Sequence, residues 1–168
     1  MGMIQELTNE ELQDAVDRIA EIYLTNFEDA RSHKEMVENI LKYSEIPGFK
    51  ALISHQFGNI NGYLYGYTSE SKQFYRELID RYLTADEKEK LNGAFEILSI
   101  AVDKNSKHNG IGTKLLAALP AGKYYLTSDV HDIVANTFYY KNDWQLLKGN
   151  MHLHPSIPDK NLYYKEVK

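Results

Sequence analysis

The sequence has no cysteine. That excludes disulfides, thiolate nucleophiles and cysteine-ligated zinc. It has only four prolines, and its ten glycines are scattered. There is no Pro/Gly-rich linker, low-complexity tract or internal repeat, so one domain is expected over 1–168. No apolar run approaches the ~20 residues that a membrane-spanning helix needs. The stretch from Met1 to Glu10 lacks the basic-then-apolar pattern of a signal peptide, and a cytoplasmic location is the expectation. Basic charge is also short: 19 Lys and Arg stand against 24 Asp and Glu, for a net charge of −5. Non-specific nucleic-acid binding runs on basic patches and is disfavoured. A cationic partner is mildly favoured. What the chain does have is 43% hydrophobic residues over 168 positions, enough for a real core.

Local signals order the elements. Thr8 with Glu11, and Ser32 with Glu35, form capping boxes that open two helices. Leu12, Val16, Ile19 and Tyr23 recur at helical spacing in the first; Met36, Val37, Ile40 and Leu41 form the stripe of the second. Pro47 and Gly48 close it. Phe49 to His55 and Ile60 to Thr68 read as a hairpin turning at Gly58 and Asn59. Tyr63, Tyr65 and Tyr67 share one face of the return strand, either as core or as a site wall. A polar helical insertion follows at about 69–93, with Phe74, Leu78, Ile79 and Tyr82 on one face and a fresh cap at Thr84 and Glu87. It reads as a structural bracket or as a lid.

Phe95 to Val102 is apolar at nearly every position on both faces, Glu96 being the one charge, as in a strand covered on both sides. Ile111, Leu115, Leu116 and Leu119 then mark a helix ending at Pro120. Lys123 to Ser128 is a strand and Asp132 to Asn142 a helix. Trp144 to Leu147 and Leu162 to Val167 read as a closing strand pair. This order gives a mixed α/β domain.

The loop Lys107-His108-Asn109-Gly110-Ile111-Gly112-Thr113 joins the apolar strand to a helix. Backbone N–H groups at a helix start lack internal partners and favour an anion. Glycine lets a phosphate approach closely. A P-loop is excluded because the upstream glycine is missing. A dinucleotide fingerprint is excluded because Leu115 occupies its third small position. On the two glycines alone, a pyrophosphate cradle and a plain tight turn both stand.

The strand Glu96-Ile97-Leu98-Ser99-Ile100-Ala101-Val102 and this loop resemble the central motif of the GNAT superfamily of acetyl-CoA-dependent N-acetyltransferases. The pattern is an apolar strand, a short loop, then Gln/Arg-x-x-Gly-x-Gly/Ala opening a helix. Lys107 stands at the Gln/Arg position, and Gly110 and Gly112 match. Downstream, Ala135, Phe138 and Tyr139, then Asp143-Trp144, resemble a second family element, with Asp143 where glycine is usual. Motif detail covers about forty residues.

The resemblance implies a mostly antiparallel, mixed sheet of about six to seven strands, splayed at its centre and flanked by helices. It implies acetyl-CoA as co-substrate, with the pantetheine along Ile100, Ala101 and Val102 and the pyrophosphate on the amides from Lys107 to Thr113. Asn136 is the expected side-chain contact to the cofactor; Asp132 is less suited because a carboxylate repels phosphate. Tyr139 is the expected proton donor to the leaving sulfur, with Tyr140 as its alternative. Glu96 reads either as the base that deprotonates the attacking amine or as a strand-end charge. Phe27, Glu28 and Asp29 are the expected acceptor contacts, or a solvated acidic turn. The acceptor is a small-molecule or peptide amine, and many relatives dimerise. A non-catalytic acyl-CoA-binding domain and an α/β interaction module remain alternatives. His152 and His154 form an H-x-H pair on one strand face, but zinc needs a third ligand and none is near in sequence, so no metal is expected.

Overall fold

The computed structural model describes residues 2–168. Seven strands and six helices follow in the order β1 (Met3–Glu6), α1 (Asn9–Asn26), α2 (His33–Tyr43), β2 (Lys50–Gln56), β3 (Asn59–Thr68), α3 (Phe74–Asp80), α4 (Ala85–Leu91), β4 (Phe95–Val102), α5 (Ile111–Ala117), β5 (Gly122–Asp129), α6 (Ile133–Lys141), β6 (Gln145–Met151) and β7 (Lys160–Val167). The strands hydrogen-bond in the order β1-β2-β3-β4-β5-β7-β6. The β4–β5 pair is parallel, while β1–β2, β2–β3, β5–β7 and β6–β7 are antiparallel. The expected mixed, mostly antiparallel sheet of six to seven strands is found, with seven. The chain divides into two compact units, each discontinuous in sequence. One runs to Tyr67 and resumes over Ile97–Leu119; the other comprises Thr68–Glu96 and Pro120–Lys168.

In the first unit both expected capping boxes form. Thr8 caps α1 with Glu11 answering, and Ser32 caps α2 with Glu35 answering. Each such cap contributes roughly 1 kcal/mol. The apolar stripes behind them meet β2 and β3: Val16, Ile19, Ile22, Met36 and Ile40 pack with Ile53, Tyr63, Tyr65 and Ala101. Tyr63 and Tyr65 are therefore core, with their rings stacked at 5.6 Å. Alternation turns Gly62 the other way. A Cβ there would lie 2.8 Å from Ile111 Cγ2 and 3.4 Å from the Ala101 carbonyl oxygen. The missing side chain lets the start of α5 close on β3. The strand β1 carries no alternation in sequence; its order comes from pairing Met3–Glu6 with His55–Leu52 of β2.

In the second unit the segment 69–93 packs as a bracket. Leu78, Ile79, Leu83, Leu91 and Ala94 bury against Tyr125, Met151, Leu153, Leu162 and Tyr164. Its two ends are stitched by backbone bonds, Ser69 N–H to the Ala94 carbonyl at 2.7 Å and Gly93 N–H to the Ser69 carbonyl at 3.2 Å. The expected face is only half right. Leu78 and Ile79 are buried, but Phe74 is exposed and Arg76 takes its place inside. The strand β6 runs past Leu147 to Met151, with register shifts on either side of Lys148. Those shifts and the polar Lys148, Gly149 and Asn150 hide it from an alternation test.

Candidate functional site

In the first unit, β4 delivers its C-terminal end into a short 3₁₀ turn at Lys104–Ser106 and then into the glycine loop. The start of that loop is anchored. Asp103 N–H donates to the Asn61 carbonyl at 2.9 Å, and Arg18 donates through Nε to the Ile60 carbonyl at 3.0 Å. Asn26, the last residue of α1, donates to the Val102 carbonyl at 3.0 Å and so ties the strand end to α1. Two residues of the loop are left-handed, His108 at φ 69° and Gly110 at φ 74°. Gly110 is the N-cap of α5, and no side chain caps the helix. Lys114 N–H closes the first helical bond to the Gly110 carbonyl. The amides of Ile111, Gly112 and Thr113 are left as the open donors of that turn. A Cβ at Gly110 would meet nothing within 4 Å, so conformation rather than crowding asks for glycine there. Lys107, His108, Asn109 and Thr113 are exposed, Gly112 is half-buried, and Ile111 is anchored in the interior. A phosphate fits such a turn: uncapped amides, open space and a lysine beside them.

The end of α1 and the loop after it hold Phe27, Glu28 and Asp29. Phe27 is 40% exposed, with its ring 4.9 Å from that of Tyr23, and Glu28 is exposed. Asp29 is already engaged. Arg31 donates to it through Nε at 2.9 Å and Nη2 at 2.6 Å, and the Tyr23 hydroxyl donates at 2.8 Å. Arg31 hydrogen bonding holds the Asp29 carboxyl well below the usual range. The expectation that Asp29 meets an acceptor cation gives way to an internal pair; Phe27 and Glu28 keep free faces.

In the second unit, Glu96 is 3% exposed. Its backbone sits opposite Tyr125 in the parallel β4–β5 register. Burial pushes its carboxyl up to about 7, against the Tyr125 hydrogen bond and the Arg76 charge, which both pull down. The strand-end reading, a solvated charge, is therefore replaced by a buried carboxyl poised near neutrality, where a general base works best. Tyr125 donates to Glu96 Oε1 at 3.1 Å. Ser69 Oγ lies 2.5 Å from the Tyr125 hydroxyl and accepts from Arg76 Nη1 at 3.1 Å. Ser69, Arg76 and Tyr125 have no counterpart in the sequence reading.

A stability signature follows. The carboxyl of Glu96 rises from 4.5 unfolded to about 7 folded, so the native state binds more protons between those values. Its contribution is complete below pH 4.5 and lost as pH climbs through 7. The loss amounts to about 3 kcal/mol. Glu96→Gln is expected to remove that slope and to gain stability relative to the unaltered chain at pH 8.5 but not at pH 4. Urea unfolding at the two pH values checks this; parallel profiles for the two proteins would rule it out.

Tyr139 sits on α6, 7% exposed, with its ring 6.0 Å from Trp144 and 5.4 Å from Tyr163. Among the described residues nothing hydrogen-bonds its hydroxyl. Burial holds the phenol far above its ordinary value, so it stays protonated. Tyr140, its alternative, is 78% exposed. The five-residue spacing to Trp144 has a geometric cause. Trp144 N–H bonds the Tyr139 carbonyl at 3.0 Å and Asp143 N–H bonds that of Tyr140 at 3.2 Å, a Schellman closure of α6. It needs a left-handed residue at position 143, and Asp143 supplies it at φ 65°. Aspartate tolerates that region better than most residues, which is why it can replace glycine.

Asn136 does not have the free amide expected of a cofactor contact. It donates to the Asp129 and Asp132 carbonyls at 2.8 Å each, and its Oδ1 accepts from Asn161 at 3.1 Å and Tyr163 at 2.5 Å. Both donors and both lone pairs are used, so Asn136 fastens the β5–α6–β7 corner. Asp132 caps α6 by accepting from Ala135 N–H. His152 and His154 lie beyond the end of β6 rather than on a strand face. They bond Asp159 and Ser156 respectively. Among the described residues no group of three or more His, Cys, Asp or Glu side chains could hold a metal, and no helix is long and apolar enough to cross a membrane.

No protein-family model matches the chain, and no curated protein matches its sequence. Solved structures do. Ard1 from Thermoplasma volcanium superposes with a TM-score of 0.67 at 15% identity, covering 99% of this chain and 98% of its own. A GNAT-family acetyltransferase from Bacillus cereus gives 0.68 at 13% identity, covering 100% and 99%. Arabidopsis thaliana NAA60, solved in complex with acetyl-CoA, gives 0.64 at 12% identity, covering 99% of each chain. The fold of this chain is that of the GNAT acetyltransferases.

Proposed function

We propose that this chain is an N-acetyltransferase that moves an acetyl group from acetyl-CoA to a primary amine by direct transfer in a ternary complex. The observation that carries the reading is a coincidence of two independent findings. The strand, glycine loop and helix that resemble the GNAT motif form β4, an uncapped left-handed turn and α5, in a chain with the GNAT fold over its whole length.

Acetyl-CoA, when bound, supplies the thioester. The residues of this chain supply the rest. The backbone amides of Lys107, His108, Asn109, Gly110, Ile111, Gly112 and Thr113, with the Lys107 side chain, would hold the pyrophosphate, and the backbone of Ile100, Ala101 and Val102 would line the pantetheine. Glu96 accepts the proton of the ammonium, directly or through water, so that a neutral amine attacks the thioester carbonyl. A backbone N–H of β4 steadies the oxygen as it gains charge. Tyr139 gives its phenolic proton to the sulfur as the carbon–sulfur bond breaks, and solvent restores it. No cysteine exists to carry the acetyl group, which excludes a cysteine acyl-enzyme and favours direct transfer. Phe27 and Glu28 offer an aromatic face and a negative charge to the acceptor.

The test is an acetyl-CoA consumption screen over small amines, amino sugars and peptides with free N-termini or lysines. The chain contributes no thiol of its own, so a thiol reagent reads released CoA alone. Amine-dependent release is the expected result. Release that no amine accelerates, with acetyl-CoA bound, would leave a non-catalytic acyl-CoA-binding domain.

A further inference from the structure

The segment 69–93 interrupts the chain between β3 and β4, and packing alone does not account for its largest fully buried side chain. Arg76 is 1% exposed. A guanidinium taken out of water costs several kcal/mol unless its donors are used. Here four of the five are used: Nε on Asp80 Oδ1 at 2.7 Å, Nη2 on the Lys88 carbonyl at 3.0 Å and on Asn92 Oδ1 at 2.8 Å, and Nη1 on Ser69 Oγ at 3.1 Å. All four bonds stay within the insertion. The fourth goes to its first residue, Ser69, which is 1% exposed and whose hydroxyl leaves the insertion to touch Tyr125 of β5 at 2.5 Å.

The chemistry of each group sets the direction of that chain. Arginine can only donate, so Ser69 Oγ accepts from it. Tyr125 has one hydrogen, and it goes to Glu96 Oε1. The hydrogen of Ser69 therefore goes to the Tyr125 oxygen. Three hydrogen bonds run one way, from a cation to a carboxylate, and each polarises the next.

We propose that Arg76, Ser69 and Tyr125 are positioning residues for acetyl transfer: they form a one-way hydrogen-bond relay from the insertion that orients Glu96 and keeps its carboxylate able to accept a proton. This deepens the reading of Glu96 as the base and rests on it. The relay does not carry the proton, because arginine does not deprotonate in proteins. It sets how readily Glu96 holds one. The groups facing Glu96 are few. Tyr125 comes from β5, and Tyr75 and Arg76 come from α3; the influence of Glu96 is felt by both tyrosines. Asp80 offsets part of the Arg76 charge by direct pairing. Burial alone drives Glu96 toward the neutral acid, and the two influences that oppose it are the two ends of the relay. An insertion that reads as a bracket thus also supplies the charge that lets a fully buried carboxylate work near neutral pH.

Two variants break the relay while leaving Arg76 in place. Ser69→Ala removes the middle group, and Tyr125→Phe removes the donor to Glu96. The protein labelled with ¹³C at the glutamate carboxyl carbon is titrated by NMR, with Glu96→Gln identifying the resonance. In both variants the Glu96 midpoint is expected to move up by roughly one pH unit. In parallel, kcat/KM is followed against pH with an amine from the consumption screen. Its acidic limb is expected to move with the carboxyl, a loss of about tenfold at pH 6.5 that disappears at pH 9. A merely structural role would lower the rate equally at all pH values. A Glu96 midpoint unmoved in both variants overturns the relay. A midpoint that moves while the rate profile does not upholds the relay and overturns Glu96 as the base.

Discussion

Glu96→Gln is expected to lower kcat for acetyl transfer by roughly 10²- to 10⁴-fold, the range over which a positioned general base acts, without unfolding the protein. The substitution keeps an oxygen for the Tyr125 hydroxyl, now 3.1 Å from Oε1, and keeps the volume of a side chain that is 3% exposed. What it removes is a buried carboxyl that can take a proton near neutrality. An ammonium cannot attack a thioester, so the loss falls on the chemical step. KM for acetyl-CoA is expected to stay within about threefold, because the loop from Lys107 to Thr113 is untouched. Raising the pH should recover part of the rate, since bulk solvent then supplies neutral amine. Steady-state kinetics at pH 7 and pH 9.5 check this. Undiminished turnover at pH 7 would make Glu96 a structural carboxyl.

Tyr139→Phe is expected to lower kcat by about a hundredfold, near the bottom of the same range, because a thiolate leaves more easily than an amine or alkoxide. The structural cost should be small. The hydroxyl has no partner among the described residues, and the ring keeps its packing on Trp144 and Tyr163. A melting temperature within about 2 °C of the unaltered chain is therefore expected, as the variant forfeits no hydrogen bond. The deficit should shrink with an acyl thioester whose leaving thiol is more acidic than CoA, since such a thiol needs less help. Equal deficits with both thioesters would argue that Tyr139 orients the site rather than protonating sulfur.

How far the sequence could carry this account depends on the range of each interaction. Thr8 with Glu11, Ser32 with Glu35 and Thr84 with Glu87 are bonds over three residues, and all three capping boxes are present. The strand Phe95–Val102 was legible to the residue because its apolar run ends at a turn. The strand β1 was not, because four residues without alternation are ordered by a partner some fifty positions away. The family resemblance, with residue type, points Asn136 and Asp29 outward. Their hydrogen bonds to Tyr163 and Arg31 turn them inward, and no local pattern announces that. Arg76 did leave a trace. It precedes Ile79 and Leu83 at helical spacing, with Asp80 one turn on, so a charge stands on the buried face with its counter-ion beside it. The link from there to Ser69, Tyr125 and Glu96 spans four separate positions and exists only in the folded chain.

The claim on which the rest depends is that the turn from Lys107 to Thr113 belongs to an acetyl-CoA site. The most direct test is the melting temperature of the unaltered protein against acetyl-CoA concentration. A ligand that binds only the folded chain stabilises it by about 2.7 kcal/mol at a hundred times its Kd, or roughly 5–10 °C for a chain of this size. The melting temperature is expected to rise continuously with the logarithm of acetyl-CoA concentration, and to rise much less with acetyl-pantetheine, which lacks the pyrophosphate. A melting temperature that stays flat to millimolar acetyl-CoA would contradict that claim.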